Sequence, residues 1–218
     1  MALPRITVLI SGRGSNLGAL LHAMAAGTLG GAVTTVIANR GEAGGLDLAR
    51  AQDIPVAVVD HRHYPSREAF DLALALAVDA SRPDLIVLAG FMRVLTDAFV
   101  QRYRGRLINI HPSLLPAYPG LHTHRRALAD GVKIHGCTVH FVTPTVDVGP
   151  IIAQSAVAVG QDDDEATLAA RVLRAEHALL PAVVRWYCAG RLVVAGGRVS
   201  VKDAATPDAA GALRVPGD

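Results

Sequence analysis

Charge of one sign is scarce in this 218-residue chain, where 21 Lys and Arg stand against 19 Asp and Glu for a formal net charge of +2. The basic residues are scattered, and aromatics make up only 4% of the chain, so no basic stripe interleaved with aromatics marks a nucleic-acid partner. Lysine is nearly absent, two residues beside 19 arginines, a bias of the kind that codon usage in a GC-rich genome produces and from which no function is read. The only cysteines, Cys137 and Cys188, are too few and too far apart for a disulfide framework or a structural zinc site, and they read as reduced thiols. Although 51% of residues are hydrophobic and the mean hydropathy is +0.34, no uninterrupted apolar run approaches the roughly 18 residues of a membrane span. The start, from Met1 to Ile10, has neither the length nor the flanks of a secretory signal. A soluble cytoplasmic protein with no membrane partner is expected.

What is present is an alternation of short apolar runs and helical periodicities. Ile6–Ile10 reads as a strand, and Leu17, Leu20, Leu21 and Met24 recur after it at helical spacing. Val33–Ala38, Val56–Asp60, Leu85–Ala89 and Leu107–Ile110 read as further strands, separated by helices at Leu46–Gln52, from Ser66 to about Ala80, and from Thr96 to about Tyr103. Pro112–Gly120 is a proline-rich loop, followed by a helix near His122–Ala129. Gly136–Val142 and Ile151–Val159 are joined too closely for a crossover and are expected to pair antiparallel. A long helix over Glu165–Ala189 is expected to bend or break near Pro181, and Gly196-Gly197 predicts a hairpin between Arg191–Ala195 and Arg198–Lys202. The reading is an α/β fold in one domain over residues 1–202, with a βαβ half to about 105 and a second half from about 106. Residues 203–218 read as a poorly ordered tail.

Two constellations carry chemistry. Asn109-Ile110-His111-Pro112-Ser113 lies at the end of a buried strand, the edge at which open α/β sheets place ligands, and Asp147 follows in Val146-Asp147-Val148-Gly149-Pro150. An amine attacking a carbonyl builds an oxyanion and an ammonium; Asn109 can donate to the first, His111 can carry the proton of the second, and Asp147 can favour imidazolium. Turn chemistry before a proline explains the same triplet without catalysis. The second constellation, Gly12-Arg13-Gly14-Ser15-Asn16, joins a strand to a helix and offers backbone N–H groups to an anion. The dinucleotide fingerprint fails because its third glycine falls on Leu17, and the next strand ends in Asn39-Arg40 rather than an acid, so a phosphate monoester fits better. Arg40 leaves an NADP reading open, as does close packing a purely structural one. The pairs His61-x-His63 and His122-x-His124 lack a zinc-site spacing, so no metal is expected.

Taken together, Ile10–Leu17, Val87–Leu95, Asn109–Pro116, Tyr118–His124 and His140–Val142 leading to Asp147-x-Gly149-Pro150 resemble the phosphoribosylglycinamide formyltransferases, the folate-dependent transformylases of purine synthesis. The resemblance runs from Ile6 to about Val194. It implies a formyltransferase fold, with a Rossmann-like, mostly parallel twisted sheet, helices on both faces and an antiparallel C-terminal part. It also implies formyl transfer from 10-formyltetrahydrofolate, a co-substrate, to the amine of glycinamide ribonucleotide, with no metal and with a homodimer left open. By position, Asn109, His111 and Asp147 would be the chemical centre. Gly14, Ser15 and Asn16 would hold the phosphate, and Glu176 the ribose or glycinamide part. Arg67 and Phe91, Met92, Arg93, Val94 and Leu95 would bind the folate, with Thr143, Pro144, Thr145 and Val146 backing its pterin. Relatives often have an acid where Pro144-Thr145 stands. The length of the chain speaks against the tRNA-formylating and formyltetrahydrofolate-hydrolysing relatives, which carry further domains.

Overall fold

The computed structural model describes residues 2–203. Its elements in chain order are β1 (Arg5–Ile10), α1 (Ser15–Ala25), β2 (Ala32–Ala38), α2 (Gly45–Arg50), β3 (Val56–Val58), α3 (Arg67–Ser81), β4 (Leu85–Leu88) and α4 (Asp97–Arg102). There follow β5 (Leu107–His111), α5 (Thr123–Ala129), β6 (Ile134–Phe141), β7 (Ile151–Ala158), α6 (Glu165–Cys188), β8 (Leu192–Ala195) and β9 (Arg198–Val201). Seven strands form one sheet in the order β3-β2-β1-β4-β5-β6-β7. The first five pair in parallel; β6 and β7 are antiparallel, as the short connection between them requires. This is the expected α/β fold.

Strand geometry sorts the core. Successive side chains of a strand point to opposite faces, so Ile6, Val8 and Ile10 pack with Leu85, Val87, Ile108 and Ile110 beneath α1 and α6, while Leu9, Ile86, Leu88 and Leu107 pack beneath α3 and α4. β4 is apolar on both faces because both faces are covered, and the one polar side chain buried in β1, Thr7, is paired with Ser81, their hydroxyls 2.6 Å apart. The same parity places Asn109 and His111 on the face of Leu107, away from Ile108 and Ile110.

Helix ends follow the polar residues in front of them. Ser66 Oγ accepts from Ala69 N at 3.2 Å, Thr96 Oγ1 from Phe99 N at 3.3 Å and Asp164 Oδ1 from Thr167 N at 2.7 Å. Of the bend or break expected at Pro181, the break is not found: α6 runs 24 residues with Pro181 inside it. Proline forfeits one helical hydrogen bond, but Leu180, Val183 and Val184 are wholly buried around it and hold the helix against the sheet. Gly196 and Gly197, at φ 56° and 77°, make the β8–β9 hairpin turn that only positive φ allows. The tail expected from residue 203 lies, from residue 204 on, outside the described residues.

Candidate active site

β1 pairs with β2 on one side and β4 on the other, so the chain leaves β1 in one direction and returns across it to β4. The carboxyl ends of these strands therefore open a cleft, of about 270 Å³, between the glycine loop after β1 and the loop after β4. Ser11 ties the two loops together: its N–H donates to the Gly90 carbonyl at 3.2 Å and its hydroxyl accepts from Met92 N at 2.7 Å. Gly14 stands before α1 at φ 77° with no side-chain cap, and its missing Cβ would lie 2.6 Å from Gly45 Cα. Glycine is thus required twice over, for the left-handed turn and for the close approach of α2. With no side-chain cap, the first-turn N–H groups of α1 are left for an anion at the positive end of the helix.

Asn16, in the first turn of α1, donates from Nδ2 to Glu176 Oε2 at 2.8 Å. Glu176 is 6% exposed, and burial pushes its carboxyl above the usual range despite the opposing pull of Asn16. The expected phosphate loop and the expected ribose-side acid, 160 positions apart, are therefore one unit across the α1–α6 interface.

The expected catalytic residues also meet. Asn109 of β5 lies directly across from His140 of β6, and His111 across from Thr138. His140 Nδ1 is 3.0 Å from the Phe141 carbonyl, which can only accept, so the ring carries its proton there and Nε2 is an acceptor. Asn109 Nδ2 donates to that Nε2 at 3.2 Å and keeps a second N–H for another partner. Burial outweighs the Phe141 carbonyl and Asp147 and holds His140 below the usual histidine value, which keeps it neutral in this role. His111 Nε2 donates to the Tyr118 carbonyl at 3.0 Å, while Nδ1 faces Asp147 Oδ2 at 3.5 Å. Asp147 Oδ1 lies 3.8 Å from His140 Nε2, and Oδ2 accepts from Gly120 N at 2.8 Å. One carboxylate thus faces His111, lies near His140 and accepts from the backbone of the Pro112–Gly120 loop. Asp147 adopts a left-handed φ of 57°, which Asp tolerates better than most residues. No role was expected for His140; the cross-strand parity of β5 and β6 is the signal that singles it out.

The loop carrying Tyr118 is anchored from below. Ser113 Oγ donates to the Ala117 carbonyl at 2.6 Å, and Thr138 Oγ1 donates to the Ser113 carbonyl at 2.7 Å while accepting from Leu115 N at 3.0 Å. Gln154 Nε2 donates to the Leu115 carbonyl at 2.8 Å. Among the residues expected at the folate, Phe91 and Leu95 turn into the core under α3, whereas Met92 and Val94 are 66% and 51% exposed. Phe91 and Leu95 accordingly shape the segment from within, and Arg93 is half-buried with its Nε unpartnered. Arg67 is exposed at the start of α3. Thr143 Oγ1 donates to the Thr145 carbonyl at 3.1 Å, closing a turn that leaves Val146 48% exposed. Exposed Val146, Met92 and Val94 offer apolar surface of the kind a flat heterocycle covers.

The chain as a whole has counterparts among known proteins. Residues 4–184 match the family model described as formyl transferase. Phosphoribosylglycinamide formyltransferase of Escherichia coli strain K12 is 50% identical over 187 residues, 86% of this chain and 88% of that protein. The crystal structure of glycinamide ribonucleotide transformylase 1 from Symbiobacterium toebii superposes with a TM-score of 0.89 at 47% identity, covering 91% of this chain and 94% of that one. A formyltetrahydrofolate deformylase from Pseudomonas syringae shares the shape, with a TM-score of 0.85 at 28% identity, over 91% of this chain and 66% of that one. With most of its length matched by the family model and half of the 187 aligned residues shared with a member, the chain belongs to the formyl transferase family.

Proposed function

We propose that this chain transfers the formyl group of 10-formyltetrahydrofolate to the amine of glycinamide ribonucleotide, a cytoplasmic step of purine synthesis. The observation that carries the proposal is the convergence of Asn109, His111, His140 and Asp147 at the carboxyl end of β5, the strand paired with β4, whose following loop lines the glycine-loop cleft. The ribonucleotide phosphate sits at Gly14, Ser15 and Asn16, Glu176 faces the ribose or glycinamide part, and the folate lies along Arg67, Met92–Val94 and Thr143–Val146. The amine lone pair attacks the formyl carbon, and the carbonyl oxygen becomes an oxyanion that takes the free N–H of Asn109. Such a donor is worth roughly 10²–10³ in rate. As the carbon–N10 bond breaks, the ammonium loses one proton and N10 gains one, with His111 as carrier and Asp147 stabilising the charged ring. The products are the formamide and tetrahydrofolate, and no bond to the protein forms.

The shape shared with a deformylase supports a second reading, with water in place of the amine. One spectrophotometric experiment separates them: the protein is mixed with 10-formyltetrahydrofolate with and without glycinamide ribonucleotide. Tetrahydrofolate released only in the presence of the amine is the expected result. Equal release of formate without it would select the hydrolase, and no change in either mixture would remove both.

A further inference from the structure

The glycine-loop cleft contains two cations that the proposed reaction has not yet used. Arg13 sits between Gly12 and Gly14, Arg40 follows the end of β2, and both line the cleft. Their positions are set by backbone packing. Gly45 N donates to the Gly12 carbonyl at 3.1 Å, and a Cβ on Gly45 would stand 3.1 Å from Gly14 Cα. The Arg40–Gly44 segment is thereby drawn against the glycine loop.

Both guanidinium groups are exposed, and among the described residues neither takes part in an ion pair or a side-chain hydrogen bond. The acids nearest Arg40 in sequence are occupied elsewhere: Glu42 Oε2 accepts from Arg62 Nη2 at 3.2 Å, and Asp47 Oδ1 from Arg50 Nη1 at 2.8 Å. Two like charges without counterions therefore flank the uncapped start of α1, an arrangement that favours an anion. The anion is a monoester rather than a dinucleotide, because Leu17, where a dinucleotide loop needs its third glycine, is fully buried.

We propose that Arg13 and Arg40 form a two-guanidinium clamp on the 5′-phosphate of the substrate, outside the backbone N–H groups of Gly14 to Asn16. The inference rests on the ribonucleotide reading given above. A phosphate monoester is close to a dianion at neutral pH, and the planar fork of each guanidinium matches two of its oxygens. Because both side chains are exposed, screening limits each to on the order of tenfold in affinity.

The test compares wild type with Arg13→Gln, Arg40→Gln and the double variant, using glycinamide ribonucleotide and its dephosphorylated riboside as amines. Each single change is expected to raise KM for the ribonucleotide about tenfold with kcat nearly constant, and to leave kcat/KM for the riboside unchanged. Arg40→Lys should recover part of the loss. Equal losses toward riboside and ribonucleotide, or an unchanged KM, overturn the clamp. Calorimetric titration with ribose 5-phosphate reads the clamp without turnover: weaker binding in the variants supports it, and equal or undetectable binding throughout refutes it. Wild type that binds ribose 5-phosphate through these arginines but formylates neither amine would sink the proposed reaction and leave the clamp standing.

Discussion

Asn109 and His140 face each other across the β5–β6 pair, and the amide donates to the ring nitrogen at 3.2 Å. The ring is held in turn by the Phe141 carbonyl, so the amide direction is set two hydrogen bonds away from any substrate. His140 is a positioning residue. His140→Ala is expected to lower kcat on the order of tenfold to hundredfold with little change in ribonucleotide affinity, since an oxyanion donor acts only in the transition state. In the double variant with Asn109→Ala the two losses should fail to add. Full additivity in steady-state kinetics would separate His140 from Asn109.

Asp147 joins a charge to an uncommon backbone conformation, φ 57°. Asparagine suits that conformation and can still accept from Gly120 N, so Asp147→Asn removes the charge and little else. Turnover is expected to drop by roughly 10²–10⁴ while the thermal midpoint stays close to wild type. A variant with kcat within threefold of wild type would show that the carboxylate charge is not needed at His111.

His124 and His135 stack edge to face, with Nδ1 and Nε2 3.2 Å apart. Burial holds both rings below the ordinary histidine value, His135 at about 4. Above the unfolded value of 6.5 both states are neutral and stability is unaffected. Below it the unfolded chain takes up protons that the folded chain refuses, so stability falls as pH drops from about 6.5 toward about 4. Urea midpoints across this window should decline for wild type and decline less for His135→Gln. Parallel curves would rule the pair out as a source of acid lability.

Gly149 closes the loop that carries Asp147. A Cβ there would stand 1.7 Å from the Phe141 carbonyl oxygen, an overlap that only backbone movement relieves. Gly149→Ala is expected to cost about 3 kcal/mol or more and to loosen the Phe141 carbonyl that orients His140. Chemical denaturation measures the first effect and kcat the second. A variant as stable as wild type would mean that the loop relaxes freely.

Much of this architecture is legible in the sequence. The largely apolar runs at Ile6–Ile10 and Leu85–Ala89 are strands because a sheet covered on both faces favours continuous apolar segments, and Ser66 and Thr96 announce helices by their capping oxygens. Asn109, His111 and Asp147 stood out because few residue types serve acyl chemistry. Other features left no local trace. Pro181 predicts a helix bent or broken there, yet the burial of its neighbours keeps α6 continuous. Phe91 and Leu95 read as ligand residues within a distinctive segment, and only packing shows that they face the core.

Local chemistry along the polymer determined which segments become strands and helices, because side-chain period, caps and turn glycines act over a few residues. It also determined which groups were available for acyl transfer and phosphate binding. Tertiary structure decided the rest: that β6 runs antiparallel to β5 in the register that sets His140 against Asn109, that Glu176 reaches Asn16, and that Arg40 arrives beside Arg13. Register and helix packing are settled by the burial of both sheet faces at once. That is a property of the whole chain, and no short stretch of it carries the information.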